Sequence, residues 1–515
     1  MISRNSETQG FLIPTWKKSR RCSPLKQRRS DELAETNLRA EDFLKRKVKN
    51  TFERASANHS LRRILVLAIA AISSAIPMAS SAHDVRYWVW QRDDPLSEQE
   101  LTELASQKVN TIYWQIGELE NIGETWRWKA RFNFPSSDAA RIRLVPVVRL
   151  VSREHQPFSD ASVAALLASL SSVSAKHDEL QLDYDAPDRL LPDYAAALKR
   201  IRTLVPRLTI AALPHWNRAD YLKLLEPNVD ELLPMLYDFE AEPILKDQSP
   251  MPLISPDKIS RLIESWRACR KPWRAGLPVF ARLSLYDANQ RLRGQIRNWS
   301  WDEICFNRSF QMSNGGQFGA SILRATKSTS IANTPIHPGE EVIARQVDRG
   351  VLLDAISMAL RAGAQGIVFF RLPDSSASSG WSLRQVGQLE AEPRLVLRKS
   401  DESVTLELSN LGDGDLGPRF PKNEANAGGH ALEIDATTPI FREAQPGDFA
   451  SVEAFAGEKP AKIPFATRLR FQFAELRAKE NLRTGLIQLA PGADFRQTRY
   501  RILNIEKGPS WKSLE

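Results

Sequence analysis

Between residues 84 and 390, short apolar runs alternate with stretches whose apolar residues recur at spacings of three and four. A short apolar run suits a strand buried on both faces, and the intervening stretches suit helices laid against it. The pattern therefore predicts repeated β/α units around a parallel sheet. Eight strands are legible, at 85–90, 111–116, 144–150, 179–184, 208–214, 231–237, 276–281 and 366–371. Helices are expected over 97–108, 162–176, 191–205, 218–225, 257–270 and 345–362. Eight units in about 300 residues fit a (β/α)8 TIM barrel better than an open doubly wound sheet, which uses fewer strands and a glycine fingerprint after the first. Between the last two strands, Gly315-Gly316 and Pro335 to Gly339 break helical periodicity, so 290–341 is expected to form a loop or hairpin insertion. Beyond Pro393 the period falls to two, which predicts a small antiparallel β-sandwich-like domain serving for packing or carbohydrate contact.

The net charge of +9 matters through its distribution. Residues 1–63 hold 16 of the 71 Lys and Arg and 7 of the 62 Asp and Glu, leaving 55 of each in the remainder. A balanced body lacks the clustered cations that track phosphates, so no nucleic-acid partner is expected. The basic leader ends in Arg62-Arg63, followed by the apolar run 64–76 and then Ala79-Ser80-Ser81-Ala82. Such a run is short for ~30 Å of hydrocarbon, and Ser80 and Ala82 suit a signal peptidase site. The expected organisation is a basic, disordered leader over 1–60 and a signal peptide or membrane anchor over 61–82. A barrel over 83–392 and an all-β accessory domain over 393–515 follow, in a periplasmic or secreted protein. The alternative is an uncleaved segment that anchors the chain to the inner membrane through residues 64–79, its tail held inside by positive charge. A leader of this length is unusual, so either the true start lies near residue 60 or the tail is real.

Cys22 falls in the leader, and Cys269 and Cys305 allow one disulfide or two buried thiols. The seven His show no HxH or HExxH spacing, and there is no glycine-rich phosphate loop, so neither a metal nor a cofactor is expected. Oligomeric state is left open.

Chemistry in such a barrel gathers at the C-terminal ends of the strands. The fourth strand ends Leu180-Gln181-Leu182-Asp183-Tyr184-Asp185-Ala186-Pro187. Alternate side chains share a face, so Gln181, Asp183 and Asp185 are expected to point into the barrel, and Leu180 and Leu182 toward the helices. Two inward carboxyls repel, which raises the pKa of one and makes it a usable acid near neutral pH. The plainer alternative is a DxD that caps a helix or binds an adventitious cation. The sixth strand ends Pro234-Met235-Leu236-Tyr237-Asp238 and brings another phenol and carboxyl to the same rim. Arg92, Arg149, Arg282 and Arg371 follow strand ends and could bind an acidic sugar or pair with Asp183, Asp185, Asp238 and Glu118. Of 13 Trp, 11 lie between 84 and 390. Several, among them Trp90, Trp126, Trp128, Trp216, Trp299 and Trp301, fall near strand ends, where indole faces can stack on sugar rings. Trp88 and Trp114 read as core or barrel lining, and Trp216 as the best platform.

The fourth strand resembles the signature of family 18 glycoside hydrolases, the chitinase-like barrels, which runs roughly D-G-x-D-x-D-W-E-Y-P. Gln181 falls on the middle Asp, Asp183 on the last Asp, Tyr184 on the Trp, Asp185 on the catalytic Glu and Pro187 on the Pro. Met235, Tyr237 and Asp238 are similar to that family's M-x-Y-D, and 208–214 to its apolar strand ending in Pro. Phe370 falls where those enzymes carry the Trp beneath the −1 sugar. The chain also looks like bacterial barrel families grouped near these hydrolases.

The resemblance implies an exported glycoside hydrolase acting on a polysaccharide or glycoconjugate by substrate-assisted retention. In that family the substrate's own 2-acetamido carbonyl attacks the anomeric carbon. Asp185 would be the general acid, Asp183 would stay ionised and stabilise the ring-closed intermediate, and Tyr237 would orient the attacking group, with Asp238 beside it. Gln181, Trp216, Met235, Phe370, Arg371, Trp90 and Glu118 would contact the sugar. Two departures bear on this: Asp185 is shorter than Glu, and Gln181 replaces a carboxyl. They keep open a non-catalytic carbohydrate-binding barrel, and a two-carboxylate glycosidase with Asp185 as acid and Asp238 or Glu118 as nucleophile or base.

Overall fold

All eight apolar runs become parallel strands. The computed structural model describes residues 83–135, 142–152, 158–237, 251–314, 319–373, 380–399, 405–419, 428–503 and 510–513. The first strands are β1 (Asp84–Val89), β2 (Thr111–Ile122), β3 (Thr125–Arg131), β4 (Arg143–Ser152), β5 (Glu179–Asp183), β6 (Arg207–Ala212), β7 (Glu231–Pro234) and β8 (Ala275–Pro278). An insertion then supplies β9 (Ala281–Tyr286), β10 (Leu292–Ile296), β11 (Phe310–Asn314), β12 (Ala320–Ala325), β13 (Thr329–Ile331), β14 (Thr334–Ile336) and β15 (Glu341–Gln346), before β16 (Gly366–Phe370). Hydrogen-bonded neighbours run β7-β6-β5-β4-β2-β1-β16-β8. Parallel bridges from Leu232 to Trp273 and from Met235 to Gly276 join the two ends. The sheet is a nearly closed TIM barrel, and β3 folds back antiparallel on β2.

The helices α1 (Glu98–Ser106), α2 (Asp160–Ser174), α3 (Leu191–Ile201), α4 (Ala219–Leu225), α5 (Pro256–Trp266) and α7 (Arg349–Arg361) lie close to the expected ranges, while α6 (Trp301–Cys305) belongs to the insertion and the short α8 (Leu383–Gly387) has no counterpart among them. Ser97 starts α1 with a capping box, its hydroxyl accepting from the Glu100 amide while Glu100 accepts from Ser97 in return. Outward side chains such as Tyr87, Leu180, Leu182, Leu208, Ile210 and Phe369 form the main apolar core with the helices. Inward ones such as Trp88, Tyr113, Val145, Leu233 and Val368 fill the barrel.

The N-terminal end of the barrel is closed by charge. Glu231, fully buried, accepts from Arg274 (2.7 Å) and Arg207 (2.8 Å) and lies 3.7 Å from Arg86. Glu179 meets Arg143 (2.5 Å) and Arg207 (3.3 Å), and Arg86 donates to the Tyr113 hydroxyl (2.7 Å). Buried carboxylates persist only when paired in this way.

The insertion is larger than the loop or hairpin expected. Its strands form a five-stranded antiparallel sheet, β10-β9-β15-β12-β11, with the β13-β14 hairpin beside it. Leu283 and Leu285 of β9 and Val342 and Ala344 of β15 alternate onto a separate apolar core that also buries Trp299 and Trp301. Those two indoles are therefore core, not sugar platforms. Cys269 and Cys305 are free thiols.

From Leu395 onward the chain is antiparallel. β17 (Leu395–Lys399), β18 (Leu406–Asn410), β19 (His430–Ala436), β20 (Phe441–Ala444), β21 (Ser451–Ala456), β22 (Lys459–Pro460), β23 (Arg468–Phe473), β24 (Asn481–Arg483), β25 (Ile487–Leu489), β26 (Thr498–Leu503) and β27 (Lys512–Ser513) make three sheets. The largest runs β22-β21-β23-β19-β26-β27. Buried Asp415 ties this region to the barrel by accepting from the Ser382 amide and hydroxyl and from the Ala478 amide. Asp302 of α6 likewise accepts from the Ala474 amide. Asp84–Glu515 is one compact unit. The expected leader and apolar segment, with Cys22, lie outside the described residues. Among those described, no helix is long and apolar enough to cross a membrane.

Gly276 shows how tightly the barrel is filled, since a Cβ there would stand 2.8 Å from the Trp88 ring and 2.9 Å from the Pro234 carbonyl. Gly276→Ala is expected to lower the unfolding free energy by about 1–3 kcal/mol, read from urea denaturation. An unchanged midpoint would mean that Trp88 has room to move.

Candidate active site

The side chains at the C-terminal mouth arrive there by strand parity. On β5, Glu179 joins the charged layer below, Gln181 fills the middle of the barrel, and Asp183 reaches the mouth. Gln181 is fully buried, accepting from Trp88 Nε1 (2.6 Å) and approaching Thr209 Oγ1 at 3.5 Å. This corrects the expectation that it contacts sugar, because it lies one layer below the opening and spends its amide on holding Trp88.

Asp183 is 6% exposed, and its Oδ1 is buried with no hydrogen-bond partner among the described residues. Burial pushes its pKa up to about 7, and the charge of Asp185 adds to the rise. The Arg149 guanidinium opposes it weakly, since its Nε stands 3.7 Å from Asp183 Oδ2. The two acids occupy unlike environments. The raised pKa nevertheless falls on Asp183, the member expected to stay ionised, because it is the one removed from water. Asp185 has a side chain 53% exposed and faces solvent just past the strand end, with its Oδ2 3.7 Å from Arg149 Nη2.

Glu118 of β2 is buried, 3.8 Å from Arg149 Nη1 and 3.6 Å from Lys129. Arg149 thus stands among three carboxyls, each at ion-pair distance and beyond direct hydrogen-bond reach. Among the described residues, Arg149 is the one of the four arginines singled out that stands at ion-pair distance from Glu118, Asp183 and Asp185. Arg92 turns to Glu100 instead (2.7 Å).

Aromatic side chains line the other part of the mouth. Tyr237 stacks on Phe370 at 5.6 Å and 19° between planes, and Phe280 meets both edge-on at 6.0 and 5.7 Å. Trp90 packs edge-on against Phe370 at 5.7 Å. Met235, Trp90 and Phe370 pack on the barrel-interior cluster, and half-buried Arg371 follows Phe370. Phe280 was not foreseen: the expected strand 276–281 contained it, whereas β8 ends at Pro278 and leaves it at the mouth. Asp238 lies outside the described residues.

Trp216 does not serve as a platform. It is fully buried beneath α3, with its ring 6.2 Å from Tyr194, because the short turn Pro214–Asn217 folds it into the core between barrel and helices. Trp126 is buried as well. No group of three or more His, Cys, Asp or Glu among the described residues could hold a metal ion.

No protein-family model matches the chain, and no curated protein matches it. Solved structures similar to it include the C-terminal domain of a protein from Desulfitobacterium hafniense DCB-2, 14% identical over 60% of this chain and 99% of that one, TM-score 0.43. Another is the spore cortex-lytic enzyme SleL of Bacillus megaterium QM B1551, 12% identical over 57% and 72%, TM-score 0.40. A third is a glycoside hydrolase family 18 N-acetylglucosaminidase of Paenibacillus barengoltzii, 12% identical over 59% and 99%, TM-score 0.39. The barrel itself is read from its strand order and parallel registers.

Since Asp183 is held protonated up to about pH 7 in the fold and ionises near 4 when unfolded, folding takes up a proton between these values. Its stabilising share is complete below about pH 4 and is lost as pH rises through about 7. Wild type should therefore lose melting temperature from pH 5 to pH 8 relative to Asp183→Asn, which keeps the shape without the charge. Parallel melting curves for the two proteins would contradict the raised pKa.

Proposed function

We propose that the chain is an exported glycoside hydrolase that cleaves a polysaccharide or glycoconjugate at the barrel mouth. The observation that carries this reading is the pairing of a buried carboxyl, Asp183, held near neutral pKa, with the solvent-facing carboxyl of Asp185 beside an aromatic wall. A glycosidic bond needs an acid at the leaving oxygen and a group to meet the positive charge that grows at the anomeric carbon. Asp185 is the acid that can reach substrate. Asp183 keeps the proton in the resting site and yields it to Asp185 as substrate displaces water, so that Asp183 becomes ionised when positive charge develops.

The proton passes from Asp185 to the leaving oxygen as the carbon–oxygen bond breaks, and the 2-acetamido carbonyl closes on the anomeric carbon, oriented by Tyr237. Water then opens the ring and returns a proton to Asp185. Attack by Glu118 fits less well. Glu118 and Asp185 lie on the two terminal nitrogens of one guanidinium, so Arg149 occupies the interval that a two-carboxylate mechanism needs for sugar or water.

The same arginine favours a second reading, a carbohydrate-binding barrel without catalysis, because Asp185 stands at ion-pair distance from it, 3.7 Å. Hydrolysis separates the two. With N-acetylated and plain oligosaccharides as substrates, Asp185→Asn should lower turnover by about 100-fold or more while leaving binding intact. Wild type that binds these oligosaccharides and never cleaves them would establish the binding barrel. Unchanged hydrolysis in Asp185→Asn would remove Asp185 from the chemistry.

A further inference from the structure

Asp185 stands on a short, tightly turned piece of chain. The Ala186 amide donates to the Tyr184 carbonyl (2.8 Å), which puts Asp185 at the apex of a three-residue turn just past β5. Ala186 is fully buried, Pro187 follows in extended conformation, and Asp188 opens the single helical turn Asp188–Leu190 that leads into α3. An Asp side chain is short, so the place of its carboxyl is set mainly by its backbone. Arg149, 3.7 Å away, lies beyond direct hydrogen-bond reach.

The next loop of the barrel holds this piece from the side. His215, in the turn Pro214–Asn217 after β6, has its Nε2 2.8 Å from Asp188 Oδ1, close enough for the ring to donate to the carboxylate. The turn that carries His215 is itself anchored. Trp216 is fully buried, its amide donates to the Leu213 carbonyl (3.0 Å), and Trp266 Nε1 donates to the Pro214 carbonyl (3.1 Å). Tyr221 of α4 faces the same Asp188, and burial and then that carboxyl raise the pKa of its phenol. Arg218 lies over the Tyr221 ring, 4.4 Å from its centre, and pairs with Asp220 (2.8 Å). An anchored turn and the start of α4 thus close on Asp188, a little beyond Asp185 along the chain. The His215 and Asp188 side chains are 51 and 31% exposed. A pair so open to water adds little to stability, so its consequence lies in where it holds the chain.

We propose that His215 is a positioning residue: through Asp188 it fixes the turn that presents Asp185 to the reacting bond. The proposal rests on the glycoside-hydrolase reading, in which Asp185 is the acid, and adds a residue that touches neither substrate nor the reacting atoms. Misplacing a reacting group by about 1 Å can cost on the order of 100-fold in rate. Releasing Asp188 lets the turn drift, while the aromatic wall of Trp90, Tyr237, Phe280 and Phe370, carried on other strands and the loops after them, stays in place. Turnover then suffers and affinity does not.

Steady-state kinetics and hydrogen exchange on the full chain test this clamp. His215→Ala should lower kcat about 10-fold and leave KM within about 2-fold. His215→Gln, whose amide can still donate to Asp188, should restore most of the rate. Asp188→Ala should cost about as much as His215→Ala, and the double variant no more than either, because the two side chains act as one unit. Peptides covering 184–190 should exchange faster in His215→Ala, with the melting temperature unchanged. Losses that add in the double variant, a raised KM with kcat unchanged, or no rescue by His215→Gln would overturn the clamp and leave hydrolysis at Asp185 standing. If the wild type cleaves no oligosaccharide, the hydrolase reading falls, and exchange still decides whether His215 holds the turn: equal rates in wild type and His215→Ala rule that out.

Discussion

The orientation of β5 sets the chemistry of the mouth. Its inward side chains occupy three layers, with Glu179 among arginines at the closed end, Gln181 beneath Trp88, and Asp183 at the opening. Side chains alternate along a strand, so a slip of one residue would place Leu180 and Leu182 in the barrel and put three polar groups against the helices. The lower layers oppose that slip. Glu179 needs Arg143 and Arg207, and Gln181 holds the indole that packs over Gly276. With these two fixed, Asp183 reaches the mouth in a place too dry to hold its charge easily, and its raised pKa follows from burial.

Much of this was legible in the sequence because it depends on periodicity. Apolar runs buried on both faces disclosed the eight barrel strands, and alternation along β5 disclosed which residues share its inward face. The same rule brought Met235, Tyr237 and Phe370 to one end. Depth was not legible. Gln181 and Asp183 have the same parity and differ only by one layer, which separates an amide packed under Trp88 from a carboxyl at the mouth. Trp216 follows a strand as a binding residue would, yet a single short turn carries it into the core. The reach of β2 was also missed, although Glu118 to Arg131 alternates across the turn Ile122-Gly123-Glu124. The insertion was read from its glycines and prolines alone, and its short apolar alternations, including Leu283 with Leu285 and Val342 with Ala344, make a sheet instead.

The electrostatics of the mouth turn on one cation. Arg149 lies within 3.8 Å of Glu118, Asp183 and Asp185, and none of these three stands at direct hydrogen-bond distance. A guanidinium shared in this way lowers the cost of gathering three acids while leaving burial to dominate at Asp183. The contrast with the closed end of the barrel is instructive. There the pairs are short and the carboxylates fully committed, as suits a structural layer. At the mouth the contacts are long, and among the described residues Asp183 Oδ1 has no hydrogen-bond partner.

The central claim is that a carboxyl at the mouth holds its proton near neutral pH. Infrared difference spectroscopy across a pH titration measures this directly through the C=O stretch of protonated carboxyls. The account predicts a band that titrates near pH 7, is missing in Asp183→Asn, and shifts to lower pH when Asp185→Asn removes the neighbouring charge. A spectrum in which Asp183→Asn removes no carboxyl titrating above pH 5 would contradict it.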